Sequence, residues 1–173
     1  MSELALWFSR KFTFYFPAEL YPNLRVRLRG TPTRLEELTR GVPVELLTRA
    51  PEGAWSIQEN AGHLWDLEEL WARRIEDYAA GAERLAAADL TNAKTHNARH
   101  NDSPLAQVLA AFRQAREAWL ARIDDWSPAA FGRTALHPRL DQRMRLVDHL
   151  YFVAEHDDHH LARIWELRRH GER

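Results

Sequence analysis

Cysteine is absent from this 173-residue chain. Its absence excludes a disulfide framework, a thiolate nucleophile and any zinc site built on sulfur. Net charge is nearly absent as well: 24 Lys and Arg stand against 25 Asp and Glu, a formal charge of −1. The basic residues are scattered at helix-like spacings beside acids, so no electropositive face is built for nucleic acid. No apolar run approaches the length of a membrane span. The N-terminal stretch "MSELALWFSRKFTFYFPAEL" is aromatic but interrupted by Arg10, Lys11 and Glu19. It lacks the apolar run and small-residue cleavage site of a signal peptide, and a cytosolic, membrane-free protein is expected. Also missing are H-E-x-x-H, a P-loop, G-x-S-x-G and the paired Glu-x-x-His motifs of a di-iron carboxylate bundle.

What is present suits one globular domain over 1–173, with 45% hydrophobic and 28% charged residues. The first stretch alternates aromatic and polar residues ("KFTFYF"), as an extended arm or the run-in to a helix would. Its aromatics are suited to cover a bundle seam or a second copy of the chain. "TPTRLEELTRGVP" reads as helix, the end of a longer one beginning near Pro22. "WSIQENAGHLWDLEELWARRIEDYAAG" opens on a capping box, Ser56 with Glu59, and repeats apolar residues at three- and four-residue steps. A helix over about 56–80 follows, ended by Gly81. "LTNAKTHNARHND" is loop-like. The next helix starts at Ser103 as N-cap with Pro104 in its first turn, and the last runs over about 143–170. No pair of alternating segments joined by a hairpin turn argues for a sheet. The fold expected is an all-α four-helix bundle.

Nine histidines are present, and "AEHDDHHLARI" holds three within five positions. In the last helix His149, His156 and His160 share a stripe with Leu146, Leu150, Val153, Ile164 and Leu167. A buried imidazole without partners costs about 1–3 kcal/mol, so several in one stripe need a compensating interaction. A divalent metal supplies one, because i and i+4 imidazoles project together from a helix. His156 and His160 are separated by about 6 Å of rise and can converge on one ion. His149 lies about 10 Å further along and cannot join them. His159 is turned about 100° off the stripe, toward solvent or a neighbouring helix. The third ligand must come from elsewhere, and His63, beside Leu64, is the histidine of the second long helix. His96 and His100 repeat the i, i+4 spacing in a polar loop and read as solvated. Glu59 is a turn before His63, but its capping box already accounts for it. Asp66, Asp148, Asp157 and Asp158 are candidates to orient a ligand imidazole through its second nitrogen.

Together, "WSIQENAGHL" and "AEHDDHHLARI", about 90 residues apart, resemble the DinB superfamily of metal-binding four-helix bundles, which includes YfiT-like hydrolases. The resemblance covers about 28–164. It implies an up-down-down-up bundle with one long crossover that includes 81–102, often paired as a homodimer. By position it puts the family's metal ligands on His63, His156 and His160, the triad the stripe selects. The metal implied is divalent, nickel or zinc, with water completing its shell. Some relatives are transferases or isomerases using a low-molecular-weight thiol such as bacillithiol or mycothiol. The expectation is therefore a metal-dependent S-transferase or hydrolase acting on a small molecule, with the general base unassigned. The alternatives are a non-catalytic, stress-related metal-binding module and a plain helical dimer with core histidines.

Overall fold

A computed structural model describes residues 6–171. Residues 6–20 form an arm with two short 3-10 turns, Trp7–Ser9 and Ala18–Leu20. Helix α1 (Tyr21–Thr39) starts with Pro22 in its first turn, as expected, and keeps Pro32 inside it. The short α2 (Val44–Leu47) leads to α3 (Ile57–Asp66) and α4 (Glu68–Ala79). The expected 56–80 helix is thus interrupted at one residue, Leu67, although Leu67 N–H still donates to the His63 carbonyl. No glycine or proline marks the interruption. It falls between two buried acids, Asp66 and Glu68, whose side chains serve different partners.

The crossover carries α5 (Ala93–Ala98), where the sequence reads as loop. Helix α6 (Leu105–Asp124) begins after Pro104, and no side-chain cap closes its start, so the expected Ser103 cap is not made. Ser103 instead accepts, through its carbonyl, a hydrogen bond from the Gln58 amide.

The connector contains a small sheet, which the sequence did not suggest. Thr134–His137 (β1) and Gln142–Arg145 (β2) pair as an antiparallel hairpin, His137 opposite Gln142. Each strand has four residues, and its turn uses Asp141 at φ 49° in place of glycine. So short an alternation gives little periodic signal. The hairpin also delays α7, which runs Leu146–Gly171 and does not begin at 143. Asp148 closes its start by accepting the Arg145 amide at 2.7 Å.

Cross-helix pairs give the direction of each helix. Arg25 meets Asp124 and Glu36 meets Arg113, so α1 and α6 are antiparallel. Arg27 meets Glu155 and the Leu38 carbonyl meets Arg168, so α1 and α7 are parallel. Glu68 meets Arg116 and Glu76 meets Arg122, so α4 and α6 are parallel. The order is up-down-down-up, and two consecutive parallel helices require the long crossover. Leu28, Leu35, Ile57, Leu64, Ile75, Phe112, Leu120, Leu150, Val153 and Ile164 are at most 1% exposed and form the core.

One buried cluster joins all four long helices. Arg116 on α6, fully buried, donates to both Glu68 carboxylate oxygens: Nε to Oε2 at 2.9 Å and Nη2 to Oε1 at 2.8 Å. Its Nη1 reaches Asp157 on α7 at 2.6 Å and the Leu28 carbonyl on α1 at 3.0 Å. That carbonyl is free because residue 32 is proline and has no N–H to give it. Burial works against the Arg116 charge, but Asp157 and Glu68 outweigh it and hold its pKa above the usual value. Removing one member of a buried ionic cluster leaves uncompensated charge, at a cost of about 3–5 kcal/mol. Arg116→Met is therefore expected to lower unfolding free energy by that amount, measured by urea denaturation.

His149 is fully buried among Trp71, Tyr78 and Phe152, and neither ring nitrogen has a partner among the described residues. Burial holds its pKa well below the usual value. Below about pH 6.5 the unfolded chain takes up a proton that the folded state refuses, so stability falls as pH drops and is unaffected above. His149→Phe should make the acid limb of the stability curve shallower by about 1.4 kcal/mol per pH unit. Urea midpoints between pH 4.5 and 8 check this.

Candidate metal centre

The capping box at Ser56 forms: Glu59 N–H donates to Ser56 Oγ at 3.0 Å, and Ser56 N–H donates to Glu59 Oε2 at 2.8 Å. It starts α3 so that Asn60 and His63 face α7 one turn apart. On α7, His156 and His160 face back. One nitrogen from each of His63, His156 and His160 can be chosen so that all lie within 4.8 Å of one another. All three residues are buried, at 4%, 4% and 7% exposure. His149 and His159 are not in this group, and neither are His96 and His100.

Hydrogen bonds orient two of the rings. The Asn60 amide nitrogen donates to the Ser56 carbonyl at 2.8 Å, which leaves Asn60 Oδ1 as an acceptor. His160 Nδ1 lies 2.9 Å from that oxygen and donates to it, so the lone pair is on Nε2. Thr95 Oγ1 donates to Asp66 Oδ2 at 2.8 Å and accepts from His63 Nδ1 at 3.0 Å, which again leaves Nε2 with the lone pair. His156 Nδ1 is buried with no partner among the described residues. Two oriented lone pairs and one orphaned imidazole nitrogen suit a divalent cation.

Burial keeps the rings neutral. It pushes His63 down to about 4, with Asp66 opposing, and lowers His156 and His160 well below the usual histidine value. Neutral imidazole is the form that binds metal.

Of the four candidate acids, Asp66 is the one that supports the triad. Burial alone would raise its carboxyl, but hydrogen bonds from His100 and Thr95 outweigh it and hold the pKa below the usual value. Asp157 serves Arg116, Asp158 serves Arg27 and Arg34, and Asp148 serves Arg145. His100 is a correction: it is 2% exposed, not solvated, and donates from Nε2 to Asp66 at 2.8 Å. The signal available was Gly62, where an added Cβ would lie 2.2 Å from the His100 ring. The crossover therefore docks on α3 through the space that a missing side chain leaves. Trp55 packs on the His63 ring at 4.6 Å and Trp7 on the His156 ring at 5.0 Å. The aromatic arm thus covers this end of the bundle seam. A cavity of about 430 Å³ opens onto the triad. His159, half-buried beside Trp7 and His160, lines it.

A sequence profile described as the DinB superfamily matches residues 27–164. The chain belongs to the DinB superfamily. Its fold is also that of YfiT from Bacillus subtilis, a probable metal-dependent hydrolase with an unusual four-helix bundle topology. The two share 19% sequence identity at a TM-score of 0.82, over 94% of each chain. No curated protein matches the chain. The described residues form the four-helix bundle expected of a DinB protein, and no described helix is long and apolar enough to cross a membrane.

Gly62→Ala should force His100 off Asp66 and cost about 1–3 kcal/mol, the range for overpacking. Thermal unfolding of Gly62→Ala, His100→Ala and the double variant checks it: the double should lose less than the sum.

Proposed function

We propose that this DinB protein is a metal-dependent enzyme acting on a small molecule, with His63, His156 and His160 as ligands of one divalent cation. The observation that carries the reading is the meeting of three buried, neutral imidazoles at the wall of a cavity. A closed structural zinc site uses four protein ligands, whereas three ligands facing open space leave a position for water or substrate. The description of YfiT as a probable metal-dependent hydrolase supports the same reading. Nickel and zinc are both suited to imidazole donors.

A bound divalent cation supplies Lewis-acid chemistry, acidifying a water or thiol that reaches it and polarising a carbonyl. The chain's own groups do the rest. Asn60 and the Thr95–Asp66 pair hold His160 and His63 in one tautomer and one orientation. Trp7 and Trp55 exclude water from the imidazole faces. His159, which burial holds below its usual pKa, is neutral at pH 7 and offers a proton acceptor at the cavity wall. Hydrolysis and transfer to a low-molecular-weight thiol such as bacillithiol both need these elements. The absence of cysteine means that any thiol in the reaction is brought in from outside. The homodimer is part of the proposal, since Phe8 and Trp165 leave apolar surface exposed.

Elemental analysis of untagged protein should find about one divalent ion per chain, absent in His63→Ala and in His156→Ala. Thr95→Val, which removes the acceptor for His63 Nδ1, should retain the fold and bind zinc about 10–100-fold more weakly. Competition with a chromogenic chelator measures it. No bound ion after incubation with nickel and zinc would end the reading.

A further inference from the structure

The cavity has a second polar wall, built by α4 and the β hairpin. Arg74 on α4 is 1% exposed, yet no carboxylate among the described residues forms an ion pair with it. Its Nε donates to the Ala86 carbonyl at 2.9 Å, and its Nη1 lies 3.1 Å from His137 Nε2. The contrast with Arg116, which has two carboxylates, is direct. A buried cation without a counter-charge is costly.

His137 sharpens the point. Its Nδ1 accepts the Leu140 amide at 3.2 Å, which assigns the ring proton to Nε2. That N–H and the Arg74 N–H then face one another as two donors. Arg139, in the hairpin turn, adds a third: its Nη2 is buried with no partner among the described residues. The Arg139 guanidinium lies 5.9, 5.4 and 5.7 Å from the rings of Trp7, Phe8 and Phe152. Arg74, His137 and Arg139 all line the cavity that holds the histidine triad. The one carboxylate among the described lining residues is Asp89, and its oxygens already accept from Thr91 and Ala93.

We propose that Arg74, His137 and Arg139 form a subsite for an oxyanion, the carboxylate or phosphate group of a substrate with an apolar body. An oxyanion beside the two facing donors that also accepts from Arg139 answers all three and supplies the missing counter-charge. Trp7, Phe8 and Phe152 give the body of the molecule an apolar wall. A cavity of about 430 Å³ takes a small organic molecule whole. The assignment of the anion as substrate rests on the proposed function, with the reacting group at the histidine triad. Anion binding itself does not require a metal.

The test is calorimetric titration of benzoate, phenyl phosphate and uncharged benzamide into the full chain, metal-loaded and chelator-stripped. The expected result is that one or both anions bind the stripped protein and benzamide does not. Arg139→Gln should weaken that binding by about tenfold or more, and Arg139→Lys by less. Preference for benzoate or for phenyl phosphate identifies the group the subsite takes. Arg74→Gln should behave as Arg139→Gln, and Arg139 carries the test if the more buried variant does not fold. Anion binding that disappears on chelation, or that is unchanged in Arg139→Gln, would overturn the proposal, as would equal binding of benzamide. Metal content measured in the same samples separates the two readings: it should stay at that of wild type in Arg139→Gln.

Discussion

Arg116 holds the bundle in register. A fully buried guanidinium is tolerable only if every donor is answered, and here the answers come from three other helices: Glu68 on α4, Asp157 on α7 and the Leu28 carbonyl on α1. Trp119 and Thr31 donate to the same two carboxylates at 2.7 Å each, so those charges are satisfied as well. A slide or rotation of any one helix would strand a buried charge. Apolar packing alone tolerates such slips, because contacts between aliphatic side chains have no direction.

The candidate metal centre depends on this arrangement. Asp157 is adjacent to His156 and three residues before His160, so holding Asp157 sets the rotation of α7 that aims both imidazoles at α3. Glu68 lies five residues beyond His63, just past the irregularity at Leu67, and fixes how α3 continues into α4. The triad is therefore placed by an ionic cluster that touches none of its rings. Around it a further set of groups sets the tautomers: Asn60 for His160, and Thr95 with Asp66 and His100 for His63. Thr95 and His100 both come from the crossover, so the segment that the topology requires is also the one that orients His63.

The two polar walls of the cavity differ in kind. At the triad, burial has removed charge and left neutral donors suited to a cation. At Arg74 and Arg139, positive charge is retained beside aromatic rings, and no acid among the described residues forms an ion pair with either. Opposite demands at two walls of one cavity are what the proposed substrate, with a metal-seeking reacting group and a negatively charged end, would answer.

Much of the architecture was legible in the chain. The three-and-four spacing from Ile57 and from Leu105, the Ser56–Glu59 capping box and the mixed stripe of histidines and aliphatics on the last helix are local patterns, and local geometry enforces them. The choice of His63, His156 and His160 followed from those patterns together with a family resemblance. The rest needed the tertiary structure. Nothing near Arg116 in sequence distinguishes it from the other arginines of an amphipathic helix. His100 reads as a loop residue because the glycine that admits it is 38 positions away. The four-residue strands are too short to show a period, and the lack of an ion pair at Arg74 among the described residues depends on which distant groups pack around it. Sequence alone determined which residues form helices and which faces they bury, because backbone periodicity acts over a few residues. Only the tertiary structure decided which buried polar groups are satisfied, because hydrogen-bond and charge compensation depends on neighbours brought together across the whole chain.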